Sequence, residues 1–200
     1  MLRWCRARAG IAGLVVGILA LVALPGCSPQ RPAPAANTAP QAEVPLPDDR
    51  APLEWARDEP YFIVVSRSCR TLTLYRYGQW LHTYDHLAFG ANDGDKLFEG
   101  DRRTPRGLYM IVGKRHHPRW SRFMLLDYPN TRDRAAWKRA VERNNVSGGP
   151  GGQVGIHGTD KPRFNELGID WTYGCISMRS EDVRELYDLV SDGTLVLIGD

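Results

Sequence analysis

The sequence has no apolar run of ordinary membrane-span length. Its longest, from about Ile11 to Leu24, falls short of the roughly 20 residues that cross a bilayer, although Ala9 and Gly10 could extend it. It also has no charge excess beyond its first segment. Arg3, Arg6 and Arg8 precede the apolar run, residues 1–26 hold no Asp or Glu, and the 26 basic residues less these three leave 23 against 23 acidic ones. A balanced chain excludes the global basic face that neutralises nucleic-acid phosphates. No repeat is visible. Cysteine is scarce, with only Cys5, Cys27, Cys69 and Cys175. In an exported protein an unpaired thiol is open to oxidation, so a cysteine that stays points to a chemical role.

What is present begins with an export signal. Three arginines, the apolar run and Pro25-Gly26-Cys27 form a charged region, a hydrophobic region and a small residue before cysteine, the pattern of a signal peptide. An uncleaved N-terminal anchor is the alternative. LPGC resembles a bacterial lipobox, which implies removal of residues 1–26 and lipidation of Cys27. Ser28, by resemblance to lipoprotein sorting rules, implies the periplasmic face of an outer membrane. Residues 27–60 are rich in Pro, Ala and polar side chains without apolar periodicity, a composition that cannot bury a core and is expected to be an extended tether. Residues 61–200 are the size of one domain.

Within that domain about eight short runs carry strand character, among them YFIVVS, TLTLYRYG, QWLHTYDHLAFG, GLYMIVGK, RFMLLDYP, QVGIHG, GCISM and TLVLIG. They predict a mostly β fold, a sandwich or barrel-like sheet. Two segments predict peripheral helices. Arg132–Asn145 has a narrow apolar stripe, and Ser180–Asp192 has Val183, Leu186, Tyr187 and Val190 at helical spacing. Ser180 is the expected N-cap and Gly193 the expected stop.

Cys175 follows Gly174 and lies 18 residues after His157 in VGIHGT. A free thiol has a pKa near 8.5, and an imidazole or oriented N–H groups can lower it. Gly174 removes a side chain beside the sulfur, so a carbonyl and backbone donors can approach. His157 and Cys175 on neighbouring strands would pair a nucleophile with a base. By spacing alone, a buried thiol and a satisfied strand histidine are the simpler reading, and the catalytic pair stays open beside it. Cys69, in SRSCRTL, reads as a structural residue, with a bond to Cys175 as a second possibility. KRHHPRWSR, residues 114–122, mixes cations with His116, His117 and Trp120. It lacks a further ligand at metal spacing and suits a surface facing an anionic, sugar-bearing polymer.

GDKLFEGDRRTPRGLY at residues 94–109, then IHGT, then WTYGCISM, resemble the L,D-transpeptidase catalytic domain, the YkuD-like family of bacterial cell-wall enzymes. The resemblance runs from about Tyr61 to Ile198. It implies a mostly β fold, a cysteine nucleophile at Cys175, a general base at His157, and no metal or organic cofactor. The implied reaction is acyl transfer on peptidoglycan stem peptides through a thioester, with backbone N–H groups around Tyr173, Gly174 and Cys175 binding the oxyanion. Hydrolysis of stem-peptide or protein-to-peptidoglycan links is the first alternative, and a non-catalytic wall-binding lipoprotein the second. Lys96 and Pro105 are expected to be structural. The sequence departs from the commonest family pattern at Thr172, Tyr173 and Ser177, which stand where Ser, His and Arg are usual. Arg179 is a candidate substitute for that arginine. Gly158, Thr172, Ser177, Arg179 and Trp120 are the expected substrate-binding residues.

Overall fold

The computed structural model describes residues 56–143, 146 and 148–200. The leader, Cys27 and the tether through residue 55 lie outside the described residues. Ala56 is already buried, and the Tyr77 N–H donates to the Glu59 carbonyl (3.1 Å), so the described chain is packed from its first residues.

The eight strands among the described residues are β1 (Phe62–Ser66), β2 (Thr71–Arg76), β3 (Gln79–Tyr84), β4 (Gly107–His117), β5 (Ser121–Leu126), β6 (Gly155–His157), β7 (Ile176–Ser177) and β8 (Leu195–Gly199). They form one sheet in the order β3-β2-β1-β8-β4-β5-β6-β7. The mostly β expectation holds. β1, β2 and β3 form a meander whose alternating inward residues, such as Leu72 and Leu74, are buried. Tyr77 and Gly78, both at positive φ, make the two-residue turn between β2 and β3 that suits the twist of a hairpin. The last strand inserts between β1, parallel, and β4, antiparallel.

β4 joins the two halves of the sheet. Gly107–Met110 pair with β8, Ile111–His117 pair with β5, and the register shifts between Ile111 and Gly113. A bulge at that point bends the strand and redirects its second half. The buried cluster of Ile63, Leu74, Phe89, Ile111, Met124, Ile156, Ile176, Val183 and Val196 is continuous across both halves.

Among the described residues three helices, not two, accompany the sheet: α1 (Thr131–Glu142), α2 (Pro162–Glu166) and α3 (Ser180–Leu189). α1 starts at a capping box, in which Asn130 accepts from the Asp133 N–H while Asp133 accepts from the Asn130 N–H. Tyr109 Oη donates to the same Asp133 carboxylate (3.0 Å) and ties the helix to β4. α3 buries Val183 and Leu186 as its periodicity predicts. Its N-cap is Arg179, however. Ser180 Oγ instead donates to the Thr159 carbonyl (3.1 Å), a tertiary tie in place of a cap. Gly193 does not stop the helix, which ends at Leu189; its N–H donates to Ile111 O (2.8 Å) in the turn before β8. Lys114 Nζ donates to the Tyr187 carbonyl (2.6 Å) and to that of Val190, placing a cation at the negative end of α3.

The segment between β3 and β4 positions the site. QWLHTYDHLAFG does not continue as one strand: β3 ends at Tyr84, and the chain then runs beside β7 through bridges between Ala88 and Ser177 and between Gly90 and Thr172. The stretch Gly94–Arg106 is thereby folded under the turn that precedes β7.

Candidate active site

β6 and β7 are adjacent and parallel, with Ile156 opposite Ile176 and His157 opposite Ser177. Continuing that register by one residue sets Cys175 against Gly155. Side chains alternate along a strand, so Cys175 and His157 share one face, one pleat apart. Gly155 keeps this junction tight, because a Cβ there would lie 2.4 Å from the Met124 carbonyl.

The turn before Cys175 is fixed from both sides. Thr172 Oγ1 donates to the Cys175 carbonyl (2.7 Å) and accepts from the Gly174 N–H (3.1 Å). Gly174 has φ 131°, and a Cβ would lie 2.6 Å from the Arg103 carbonyl, so only glycine fits. Below it Lys96 and Asp101 form an ion pair at 2.8 Å, with side chains only 4% and 1% exposed. Asp101 also accepts from the N–H groups of Leu97 (2.6 Å), Phe98 (3.1 Å) and Arg103 (3.0 Å). A buried charge pair this fully hydrogen-bonded holds one geometry. The GDK and GD residues thus build the floor of the cysteine turn, and Pro105 is buried with them.

His157 is 1% exposed. Its Nδ1 lies 2.6 Å from the Gly158 carbonyl; a carbonyl only accepts, so Nδ1 carries the proton and Nε2 keeps the lone pair. Trp120 stacks on the imidazole with ring centroids 4.2 Å apart and planes at 17°, Phe123 lies nearly parallel at 6.1 Å, and Trp171 meets it edge-on at 6.0 Å. Burial in this aromatic setting lowers the imidazole pKa to about 4, so His157 is neutral at pH 7.

Cys175 is a free thiol, so no bond joins it to Cys69. Its Sγ lies 3.5 Å from the Gln153 carbonyl. Burial pushes the thiol pKa up, opposed by the Gly155 N–H and by Lys96. This reverses the expectation of a lowered pKa, since burial disfavours the thiolate and the neutral His157 supplies no imidazolium to stabilise it. Cys175 and His157 therefore rest as thiol and neutral imidazole.

The remaining sequence-predicted residues divide. Trp120 packs on His157, and Tyr173 stands at the lip of the turn, 73% exposed. The Gly174 N–H is bonded to Thr172 Oγ1, which removes it from the oxyanion donors and makes Thr172 a turn residue. Gly158 is a packing position, where a Cβ would lie 2.4 Å from the Trp120 carbonyl. Ser177 is 0% exposed beneath Asn165, whose Nδ2 donates to the Ser177 carbonyl (3.1 Å). Arg179 caps α3 with its guanidinium on Asp85 (3.3 Å), engaged outside the turn. The basic stretch 114–122 is the end of β4 and its hairpin. It sends His116 against Tyr187 and stacks His117 on Trp120, dividing the histidine pair between two neighbours.

Sequence reasoning did not find Asn165 or Trp171. Asn165 Oδ1 accepts from Trp171 Nε1 (3.2 Å), and its amide also donates to the His86 carbonyl (3.0 Å). Neither carries a local signal beyond an asparagine buried in a five-residue helix.

Residues 60–198 match the family model of the L,D-transpeptidase catalytic domain, YkuD. Over 139 residues the chain is 32% identical to YkuD of Bacillus licheniformis and 30% identical to YkuD of Bacillus subtilis. Each match takes in 70% of this chain and 66% of the relative, so the chain spans just under two thirds of their length. Among solved structures, Bd1075 of Bdellovibrio bacteriovorus superposes with a TM-score of 0.50 at 22% identity, covering 71% of this chain and 48% of that one. The helical cell shape determining protein Pgp2 of Campylobacter jejuni gives a TM-score of 0.50 at 19% identity, covering 76% and 55%. These structural likenesses are of fold.

Proposed function

Because the chain belongs to the L,D-transpeptidase catalytic-domain family, we propose that it is a peptidoglycan-remodelling cysteine acyltransferase that acts on stem peptides through a thioester on Cys175. The observation that carries this reading is the free thiol of Cys175 on the same strand face as an imidazole whose Nδ1 is committed to Gly158, which leaves Nε2 as the base.

Cys175 Sγ attacks a peptide carbonyl between an L-centre and a D-centre while His157 Nε2 takes the thiol proton. The remaining turn donors, the N–H groups of Tyr173 and Cys175, bind the oxyanion. Collapse of the tetrahedral intermediate breaks the C–N bond, His157 returns the proton to the leaving amine, and the acyl group stays on sulfur. A second amine, deprotonated by His157, then takes the acyl group and regenerates the thiol. Water doing the same makes the enzyme a hydrolase. Water is present at about 55 M, so transfer prevails only where an amine is held in line at high effective concentration. The buried, uncharged Ser177 offers no cation to hold a substrate carboxylate at that position, and a looser hold on the substrate makes hydrolysis the second reading. A wall-binding protein without catalysis would have no use for a single imidazole tautomer beside a free thiol.

The test is incubation with a tetrapeptide stem donor, with and without excess amine, followed by intact-protein and product mass spectrometry. A Cys175 acyl adduct and a new amide product support transfer; an adduct with only shortened peptide supports hydrolysis; absence of any adduct overturns both. The same reading includes a diacylglyceryl anchor on Cys27 and an envelope location, tested by membrane partitioning of wild type against Cys27→Ala.

A further inference from the structure

Arg102 is held on a rigid base beside the Cys175 turn. Its backbone lies in the left-handed region at φ 56°, which a non-glycine residue keeps only when its surroundings impose it. They do so here. The Asn92 N–H donates to the Arg102 carbonyl (3.0 Å), and Asn92 Nδ2 donates to the carbonyl of Asp101 (2.9 Å). A Cβ on Gly90 would lie 2.4 Å from that same Arg102 carbonyl. The next residue, Arg103, presses its carbonyl against Gly174. Arg102 is therefore anchored one residue from the backbone that touches the nucleophile turn.

Its side chain leans over that turn, with Cζ 5.0 Å from the centroid of the Tyr173 ring. Five other arginines, Arg67, Arg70, Arg106, Arg119 and Arg179, each have a carboxylate partner. Arg102 has no ion pair and no side-chain hydrogen bond among the described residues. A guanidinium over an aromatic face keeps its N–H edges available, and that fork matches a carboxylate in bidentate geometry.

We infer that Arg102, steadied by Tyr173, binds a substrate carboxylate at the lip of the Cys175 turn. The inference rests on the acyl-transfer reading for its ligand class, a short stem peptide with a free C-terminal carboxylate on the leaving D-residue. Ser177 is buried and uncharged, so Arg102 supplies the cation from a different segment of the chain.

The experiment uses the full chain carrying Cys175→Ala, which leaves the peptide intact, titrated with a tetrapeptide stem as the free acid and as the C-terminal amide. The acid is expected to bind about tenfold more tightly than the amide. Adding Arg102→Gln brings the acid to the level of the amide and leaves the amide unchanged, while Arg102→Lys keeps part of the preference. An acid preference that survives Arg102→Gln, an equal loss of both ligands, or no preference and no binding in the parent overturns the inference. Circular dichroism of each variant shows that the fold is kept. Acyl transfer is read separately, as thioester mass on Cys175 in the wild-type chain. Absence of thioester with an intact, Arg102-dependent acid preference would remove the thioester chemistry, transfer and hydrolysis alike, and leave the carboxylate site standing.

Discussion

The indole of Trp120 lies face to face with the imidazole of His157, 4.2 Å between centroids, and His117 stacks on the same indole at 4.4 Å. Trp120 thus both orients the imidazole and keeps water from it. Trp120→Ala should expose the imidazole and move its pKa from about 4 towards its ordinary 6.5. The acidic limb of the acylation rate should move to higher pH accordingly, and acylation at pH 7 should fall about fivefold, an aromatic contact being worth about 1 kcal/mol. Trp120→Phe should retain most of both properties. A histidine titration by NMR, compared with the pH–rate profile, checks this.

If His157 serves as the base proposed above, its pKa of about 4 predicts acylation that holds its rate down to pH 5 and falls only near pH 4. Cys175→Ala should abolish adduct formation. His157→Ala should slow acylation by about 10²- to 10⁴-fold, the usual contribution of a positioned base. Cys69→Ala, which lies in the turn between β1 and β2, should leave the chemistry of Cys175 in place. Intact mass after timed exposure to donor peptide measures all three.

His157 also ties stability to pH. Its folded pKa is depressed to about 4 from 6.5, so between those values the unfolded chain binds more protons and stability falls as pH falls. The full loss is on the order of 3 kcal/mol. Urea unfolding at pH 7.5, 6, 5 and 4 should show this slope in wild type and lack it in His157→Gln.

Breaking the buried Lys96–Asp101 pair should be severe, because it leaves an unpaired charge under Gly174. Asp101→Ala orphans Lys96 and three backbone N–H groups and should lose about 3–5 kcal/mol of stability. It should also slow acylation by loosening the turn. Thermal unfolding and adduct formation are the two readouts.

Ser177→Arg should not restore a substrate-facing guanidinium. Ser177 is 0% exposed and covered by Asn165, so the larger side chain should destabilise the protein by about 1–3 kcal/mol or more. A variant with wild-type stability and altered product ratio would contradict this placement.

The sequence by itself determined the parts that depend on local pattern. Alternation of Leu72 and Leu74 marked a strand with one buried face, the spacing of Val183, Leu186 and Tyr187 marked the helix that packs on the sheet, and Gly174-Cys175 with IHG marked the thiol and the imidazole that adjacent strands bring to one face. Such features are set by the two-residue and 3.6-residue periods of the chain and by glycine's tolerance of close approach. Only the tertiary structure decided which neighbours each residue meets. Nothing near position 120 in the chain indicates that its indole covers His157, and nothing near Lys96 indicates a buried partner beneath Gly174. The burial that keeps His157 neutral and raises the Cys175 pKa comes from strands and loops far apart in sequence. Desolvation and stacking depend on which surfaces meet in space, and strand order fixes that, while a local pattern fixes only which face of each strand turns inward.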